Sequence, residues 1–561
     1  MSPIVRERLR VPRDNRTTFF RPDPSEWPAL VRENRRLLTT YDVTLGGNPF
    51  APFRAAARAE IVALARAWTK ARGFQAPGWA EPRPVIIAGH QPAPFHPGVW
   101  IKNFAAGALA DAVGGVALNL NVDNDQPHAA AFRVPAVDLT CKMGGDECRT
   151  ADVAFAPPPA GLAFEELPPD AIRDDAAREA AELLPPSLPT DGLRRFWDLL
   201  LDARSRAANL GEAFVVARRR LEEEHGLHNL ELPVSRLADS RAFVAFLAAF
   251  LARHDDFFRA YNESLAEFRH VFHETSPAQP VPDLARDGRR MELPYWIWRR
   301  GEPRQRLWVE PVRGGGLGLA YDDVEIGRLS AADLADPDAA APRLADLGRA
   351  GWKIRPRALS MTLFVRLAVG DVFIHGLGGA LYDKITDAII HRLFHAAPPR
   401  LILASCTVHL PLPAHPETQD DCTAAERAVR DWRYNPDRML PASLRRRDDV
   451  RALVDEKRRL LENRAPTRGA RADAWRRVRD LNRRLAAVAP EVVQAAHGRL
   501  RDVRRALRYN AVLRNREVPF FLHPPDDLVA FYRDALRLRP STELRARTCA
   551  WCGAARKEPP Q

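Results

Sequence analysis

Short apolar runs, each followed by polar or Gly-rich residues, recur at four places along the chain. They cover residues 85–88, 116–122, 371–374 and 401–404. Runs of this length and composition are typical of strands buried on both faces of a parallel sheet. If the four strands are parallel neighbours, the polar residues that follow them meet at one edge of the sheet and line a single crevice.

Helical periodicity dominates much of the remaining chain. Residues 444–515 contain three apolar stripes, which include Leu461 and Trp475 and predict two or three antiparallel helices with coiled-coil-like seams. Residues 292–309 change to the period of strands and predict a β-hairpin. Residues 132–140 predict an edge strand, and the glycines of 314–318 predict a flexible turn.

These patterns predict an α/β fold with a Rossmann-like core, helical insertions and a C-terminal antiparallel helical arm. A chain of 561 residues exceeds one ordinary domain. We predict a helical lead-in, a first part of the core, a Pro-rich and helical connection, a small hairpin-containing insertion, a second part of the core, the helical arm, a last helix and a tail. The corresponding residues are 1–83, 84–155, 156–285, 286–349, 350–425, 440–515, 516–547 and 548–561.

The composition points to a cytoplasmic protein without a membrane partner. The N-terminus has no apolar signal segment, and no apolar run approaches the ~20 residues of a membrane span. Six Cys in a long chain do not make a disulfide scaffold. The net charge of +12 comes almost entirely from Arg, which a GC-rich genome also produces. We therefore do not expect a nucleic-acid partner from the charge alone.

The first candidate site is the strand–loop–helix unit of residues 84–104. His90 and Gln91 follow the strand, His96 lies in the Pro-rich loop, and Lys102 lies on the helix that we expect to begin near Gly98. A helix N-terminus with a nearby Lys can bind phosphate or another anion. The alternative is a packed turn with structural His residues.

A second group of polar residues follows the next strand. Asp123, Asp125 and His128 are close enough in sequence to bind a metal ion or to act as a base. The alternative is a helix cap followed by a solvated loop.

The third group follows the strand at 371–374, where glycines allow a ligand to approach the backbone closely. Arg residues just upstream could bind an anionic substrate. The alternative is a tight strand–helix turn. The candidate substrate-binding residues of this group are Arg357, Arg366, His375, Gly376, Gly378, Gly379, Tyr382 and Asp383.

Two common nucleotide-binding signatures are absent from the sequence. There is no GxxxxGK[ST] segment and no GxGxxG after a strand, which disfavours a P-loop or a dinucleotide fold. No cofactor is required by the sequence, although a nucleotide is compatible with the predicted core. A single CxxC at Cys549 and Cys552 is a weak signal for zinc.

Three segments resemble the bacillithiol-synthesis cysteine ligase family. AGHQPAPFHPGVWIKNF at 88–104 is similar to the family's Gly-Gln-Gln segment and following helix, with His90 in place of the first Gln. NVDNDQPH at 121–128 is similar to its acidic cluster, and FIHGLGGALYDKITD at 373–387 to its Gly-Gly loop. In the last segment the family's Gly-Gly-x-Gly-Glu pattern is not kept, since Ala380 and Leu381 occupy the next positions.

The resemblance implies a core related to the HIGH-motif nucleotidylyltransferases and an enzyme that joins a cysteine-like amine or thiol to a small acceptor. His90 and Gln91 would orient the acceptor, and Asp123 or Asp125 would bind the amine or act as base. A homodimer through the helical arm is compatible with this layout. The alternatives are a metal-dependent hydrolase that uses Asp123, Asp125 and His128, and a binding protein without catalytic activity, in which the basic helical arm contacts nucleic acid.

Overall fold

A computed structural model describes residues 4–7, 9–45, 48–127, 129–138, 147–276, 279–463 and 466–537. Its strands are β1 (Thr17–Arg21), β2 (Thr44–Leu45), β3 (Asn48–Pro49), β4 (Val85–His90), β5 (Val116–Asn121), β6 (Ala131–Asp138), β7 (Glu147–Ala154), β8 (Leu230–Pro233), β9 (Arg286–Asp287), β10 (Arg290–Arg299), β11 (Gln305–Val312), β12 (Gly316–Tyr321), β13 (Val324–Leu329), β14 (Trp352–Pro356), β15 (Val372–His375) and β16 (Ile402–Thr407).

Helices lie between the strands and make up most of the C-terminal part. They are α1 (Trp27–Thr39), α2 (Phe50–Ala71), α3 (Pro97–Val113), α4 (Ala176–Leu183), α5 (Asp191–Arg204), α6 (Leu210–Glu224), α7 (Val234–Ala238), α8 (Arg241–Ala252), α9 (His254–Phe272), α10 (Ala331–Ala335), α11 (Pro337–Arg349), α12 (Ala358–Phe364), α13 (Leu377–Phe394), α14 (Gln419–Tyr434), α15 (Pro436–Met439), α16 (Ala442–Arg445), α17 (Asp448–Glu462), α18 (Arg468–Ala487), α19 (Pro490–Leu513) and α20 (Pro525–Ala535).

The central sheet has the strand order β1-β16-β15-β4-β5-β8. Strands β16, β15, β4, β5 and β8 are parallel, and β1 pairs with β16 in the antiparallel sense. The four apolar runs found in the sequence are β4, β5, β15 and β16, and they are neighbours. The predicted α/β class and the parallel arrangement of these runs are therefore confirmed.

The apolar run of β4 is continuous because helices cover both faces of the sheet. Val85 and Ile87 pack in a core that includes Ile61 of α2. Ile86 and Ala88 pack in a second core that includes Trp100 of α3. All four strand residues are fully buried, as expected for a strand inside a doubly covered sheet.

A buried carboxylate ties the sheet to the N-terminal helix α2. Asp371 accepts hydrogen bonds from Arg54 (2.9 Å) and Arg58 (3.1 Å) of α2, and from the backbone N–H of Val85 (2.8 Å). Its side chain is only 3% exposed. The predicted helical lead-in is thus an integral part of the central core.

The structure refines three sequence predictions. The edge strand predicted at 132–140 is present as β6, which pairs with β7 in a separate two-stranded antiparallel sheet. The predicted hairpin, β10 and β11, belongs to a larger antiparallel sheet of order β13-β12-β11-β10-β14. The turn predicted at 314–318 is confined to Gly314 and Gly315, which have positive φ, and Gly316 begins β12.

Helices α17, α18 and α19, the segment predicted as a helical arm, pack with α14 around two small apolar clusters. Val450, Leu485 and Val503 are buried there. Two residues that the apolar stripes placed in the seams are instead turned outward: Trp475 is 61% exposed and Leu461 is 52% exposed. The seams are therefore shorter than the sequence pattern predicted.

None of the helices in the described part of the chain is both long enough and apolar enough to cross a membrane.

Candidate functional site

A cavity of about 760 Å³ lies at the carboxyl ends of the central strands. Its wall includes Gly89 and His90 at the end of β4, His375 at the end of β15, and Ser405 of β16. A volume of this size suits a small-molecule ligand, and this edge of a parallel sheet is where ligands usually bind.

Two helices begin at the cavity, and their first N–H groups lack partners within the helix. Helix α3 begins after His96, whose Nδ1 atom accepts a hydrogen bond from the Gly98 N–H (3.0 Å). Helix α13 begins after Gly376, which has no side chain to cap the first turn. The N-terminus of α13 therefore presents uncapped peptide N–H groups, which favour an anion.

Lys102 and His90 adjoin each other on one wall of the cavity. The Lys102 ammonium donates to the Gly89 carbonyl (2.8 Å), and burial lowers its pKa to about 8. Burial, aided by the Lys102 cation, lowers the pKa of His90 to about 3. At neutral pH this wall therefore holds a cationic Lys and an uncharged imidazole.

His96 is held against the last segment of the chain. Burial and the nearby Arg516 guanidinium lower its pKa to about 3, so its ring is neutral. Because Nδ1 accepts from Gly98, the proton of the neutral ring lies on Nε2. Arg516 donates to Ser405 Oγ (2.9 Å) and to the Cys406 carbonyl (2.8 Å), which fixes it beside the start of α3.

A third wall joins the loop after β5 to the β10–β11 hairpin. Asp125 accepts from the Gln91 amide and from Arg304 (2.8 Å). The guanidinium groups of Arg304 and Arg357 lie 4.8 Å and 4.0 Å from the centre of the Trp296 ring. Two cations thus stack on one aromatic side chain at the cavity surface.

His375 is oriented by a buried ion-pair network. Its Nε2 atom lies 3.2 Å from Asp383 Oδ2, and Asp383 in turn accepts from Arg366 (2.8 Å). Burial alone would raise the pKa of Asp383, but the Arg366 guanidinium and the His375 ring hold it well below its usual range. The His375 ring therefore lies beside an ionised carboxylate, with Nε2 as its nearer nitrogen.

The glycines after His375 differ in their surroundings. A Cβ atom on Gly376 or Gly378 would have no heavy atom within 4 Å, whereas one on Gly379 would lie 2.7 Å from His375 Nδ1. The first turn of α13 therefore has free space beside Gly376 and Gly378, and packs tightly against the His375 ring at Gly379. Tyr382, 38% exposed, lies one turn further along and also lines the cavity.

Asp123 lies outside this cavity. It borders a second cavity of about 350 Å³ that also includes Glu165 and Arg355. Ser235 donates to it through both Oγ (2.5 Å) and N–H (2.8 Å). Burial, with the Glu165 carboxylate nearby, raises the pKa of Asp123 to about 7. Asp123 and Asp125, predicted to act together, therefore serve different cavities.

Asn124, between these two carboxylates, anchors the loop to the antiparallel sheet. Its side-chain amide donates to the Pro356 carbonyl (2.7 Å), and both residues line the main cavity. The loop after β5 is thus a wall shared by the two cavities.

The structure does not bring the predicted metal ligands together. His128 lies outside the described residues, as does the CxxC of Cys549 and Cys552. Among the residues that are described, no three His, Cys, Asp or Glu side chains are grouped as metal ligands. The carboxylates of Asp123 and Asp125 already bind Ser235 and Arg304, respectively.

Most of the predicted substrate-binding residues that the structure describes line the main cavity, but two of them do not. Arg366 and Asp383 are buried beneath it, with Arg366 also bound to Asp387. The predicted residues that do line the cavity are His90, Gln91, His96, Lys102, Asp125, Arg357, His375, Gly376, Gly378, Gly379 and Tyr382.

Sequence reasoning missed three cavity residues: Trp296, Arg304 and Arg516. Each comes from a segment far along the chain from the strand ends that it joins. A cation–aromatic pair in the predicted hairpin was the available signal for Trp296 and Arg304.

Compared with protein-family models and with curated proteins, the chain matches none at a significant level.

Proposed function

We propose that this protein is a ligase or group-transfer enzyme of the cysteine-ligase type, which joins a small amine or thiol to a small anionic acceptor. The main observation in support is that Lys102, the uncapped N-terminus of α13 and His375 all line one cavity. The sequence resemblance described above supports the same chemistry, and a Rossmann-like core with a coiled-coil-like arm is part of this proposal.

The acceptor's anionic group is the part of the substrate that the cavity suits best. Lys102 is cationic at neutral pH, and the N–H groups of α13 carry partial positive charge. Arg304 and Arg357, which pair with Asp125 and Glu292, add two guanidinium groups to the lining, stacked on Trp296. Such preorganised donors also stabilise negative charge that develops on an acceptor oxygen during the reaction.

His375 is the residue we assign as general base. Its Nε2 atom faces the Asp383 carboxylate at 3.2 Å, so we assign the proton transfer to Nδ1. Asp383 and Arg366 are positioning residues, since they act through the His375 ring. His90 is a weaker base because its pKa is about 3, and its neutral ring suits a hydrogen bond to the substrate.

Thermal unfolding against a ligand panel tests this proposal. The panel contains cysteine and other amino acids, amino-sugar malates, nucleotides and divalent metals. A ligand that binds the native state raises the unfolding midpoint. We expect an anionic acceptor to stabilise the protein, and Lys102→Met to weaken its binding by at least tenfold. Lys70→Met, an exposed substitution on α2, is the matched control.

Product formation is then measured by mass spectrometry with cysteine and the stabilising acceptor, with and without ATP. Replacement of His375 by Gln should reduce turnover by 10²-fold or more, the usual size of a general-base contribution, with little effect on acceptor binding. Stabilisation by a metal ion alone, or full turnover in the His375 variant, would contradict the proposal.

A further inference from the structure

The positive charge of this protein is concentrated in one segment. Residues 440–515, which contain the helical arm, hold 21 Arg and Lys residues against 9 Asp and Glu. The whole chain holds 84 against 72, so the other residues contain 63 of each sign. The net charge of +12 therefore belongs to the arm segment, and the rest of the chain is neutral. A genome-wide bias toward Arg does not explain this segregation.

The N-terminal half of α18 carries this charge on an uncovered surface. Residues 468–477 are exposed at every position except Ala474, which is half-buried. Arg468, Arg471 and Arg479 form no ion pair with a carboxylate among the described residues, unlike Arg476, which pairs with Asp473.

An exposed Trp lies within this row of arginines. Arg468, Arg471, Trp475 and Arg479 follow one another at intervals of three, four and four residues, which places them on the same side of the helix. Trp475 is 61% exposed, the most exposed aromatic side chain among those described. We call these four residues the α18 stripe.

We propose that the α18 stripe binds single-stranded nucleic acid. Arg recognises phosphate groups through its planar, bidentate guanidinium, and an exposed Trp ring stacks on unpaired bases. RNA and DNA single strands share both features, so the stripe suits either. This inference favours the alternative that the charge alone did not support, nucleic-acid binding by the basic arm, and it is independent of the proposed ligase activity.

Two other partners fit the stripe less well. A helix that lies in a membrane surface needs a contiguous exposed apolar face, but Val478, Leu481 and Leu485 of α18 are buried inside the arm. A second copy of the arm would bring two segments of charge +12 together, which like-charge repulsion opposes.

The test is fluorescence anisotropy of the full-length protein with labelled 20-nucleotide single strands of RNA and DNA at 50–200 mM salt. We expect the triple variant R468E/R471E/R479E to bind at least 30-fold more weakly. Its salt dependence should also fall by about two in slope, since three phosphate contacts are lost and each contributes about 0.7. Trp475→Ala should weaken binding at least fivefold without a change in that slope.

In a matched control, Glu replaces three exposed arginines outside the arm: Arg32, Arg36 and Arg194. It should bind within twofold of the parent protein, and all variants should keep the parent thermal midpoint and its response to the cavity ligand.

Four results would overturn the proposal: no binding at 50 mM salt, equal binding by the triple variant, equal loss in the control, or duplex DNA bound as tightly as single strands with Trp475→Ala neutral. Binding of anionic lipid vesicles that the triple variant abolishes, with nucleic-acid binding unchanged, would assign the stripe to membranes.

Discussion

Two neighbouring glycines at the start of α13 allow a matched test of how tightly His375 is held. An Ala side chain at Gly378 meets no atom within 4 Å, whereas at Gly379 its Cβ would lie 2.7 Å from His375 Nδ1. The His375 ring cannot retreat easily, because it stacks on Phe373 with centroids 4.1 Å apart and contacts Asp383 on its other side.

Both substitutions gain the same favourable contribution to the free energy of unfolding, and only Gly379→Ala also has an unfavourable one. Gly→Ala in a compatible helical position stabilises by about 0.4–1 kcal/mol, chiefly through the unfolded state. Overpacking against a fixed ring costs about 1–3 kcal/mol. Gly378→Ala should therefore be slightly more stable than the parent protein, and Gly379→Ala should be about 1–3 kcal/mol less stable than Gly378→Ala.

Urea unfolding followed by tryptophan fluorescence measures this difference, and acceptor binding to each variant reports on the cavity. Gly379→Ala should also bind acceptor more weakly, because the new methyl group pushes the His375 ring out of its position in the cavity wall. Equal stabilities for the two variants would refute the argument that His375 is fixed by its neighbours.

Other predictions concern buried and exposed charges. Asp371→Asn should destabilise the protein by about 3–5 kcal/mol in urea unfolding, because it leaves the buried Arg54 guanidinium without a carboxylate and leaves Arg58 with Glu81 alone. Asp323→Asn, at a fully exposed carboxylate, should change stability by less than about 0.5 kcal/mol. Burial lowers the pKa of His523 to about 3, so this side chain is neutral in the native state. The free energy of unfolding should therefore fall as the pH drops below 6.5, by about 2 kcal/mol at pH 5 relative to His523→Asn. Stabilities of the two proteins that fall in parallel with decreasing pH would contradict this. Because the pKa of Lys102 is about 8, acceptor binding should weaken as the pH rises through 8. Lys102→Met should abolish this pH dependence. Isothermal titration calorimetry at several pH values measures both effects.

The central strands could be predicted from the sequence, because a strand that is buried on both faces appears as an uninterrupted run of apolar residues. Strands β4, β5, β15 and β16 appear in the sequence as short apolar runs, and their burial on both faces could be inferred from that composition. Strand β8, with only four residues, gave too short a pattern and was assigned to a helical segment. Strand β1 was missed because its residues are mostly half-exposed at the sheet edge.

The candidate site was predictable where it follows a strand, and not where it depends on distant contacts. His90, Gln91 and His375 could be placed because they come directly after buried strands. Arg516 is held at the site by its contacts with Ser405 and Cys406, 111 and 110 residues earlier, and no local pattern reveals such contacts. The same limit explains why Asp123 and Asp125 could not be assigned to different cavities.

The loop after β5 has a thermodynamic consequence, because it separates two cavities. Asp123 borders one, Asp125 borders the other, and Asn124 anchors the loop between them. A ligand that shifts this loop from either side changes the affinity of the opposite cavity, and linkage requires the same factor in both directions. Any coupling between the two cavities through this loop must therefore have the same size whichever ligand is bound first.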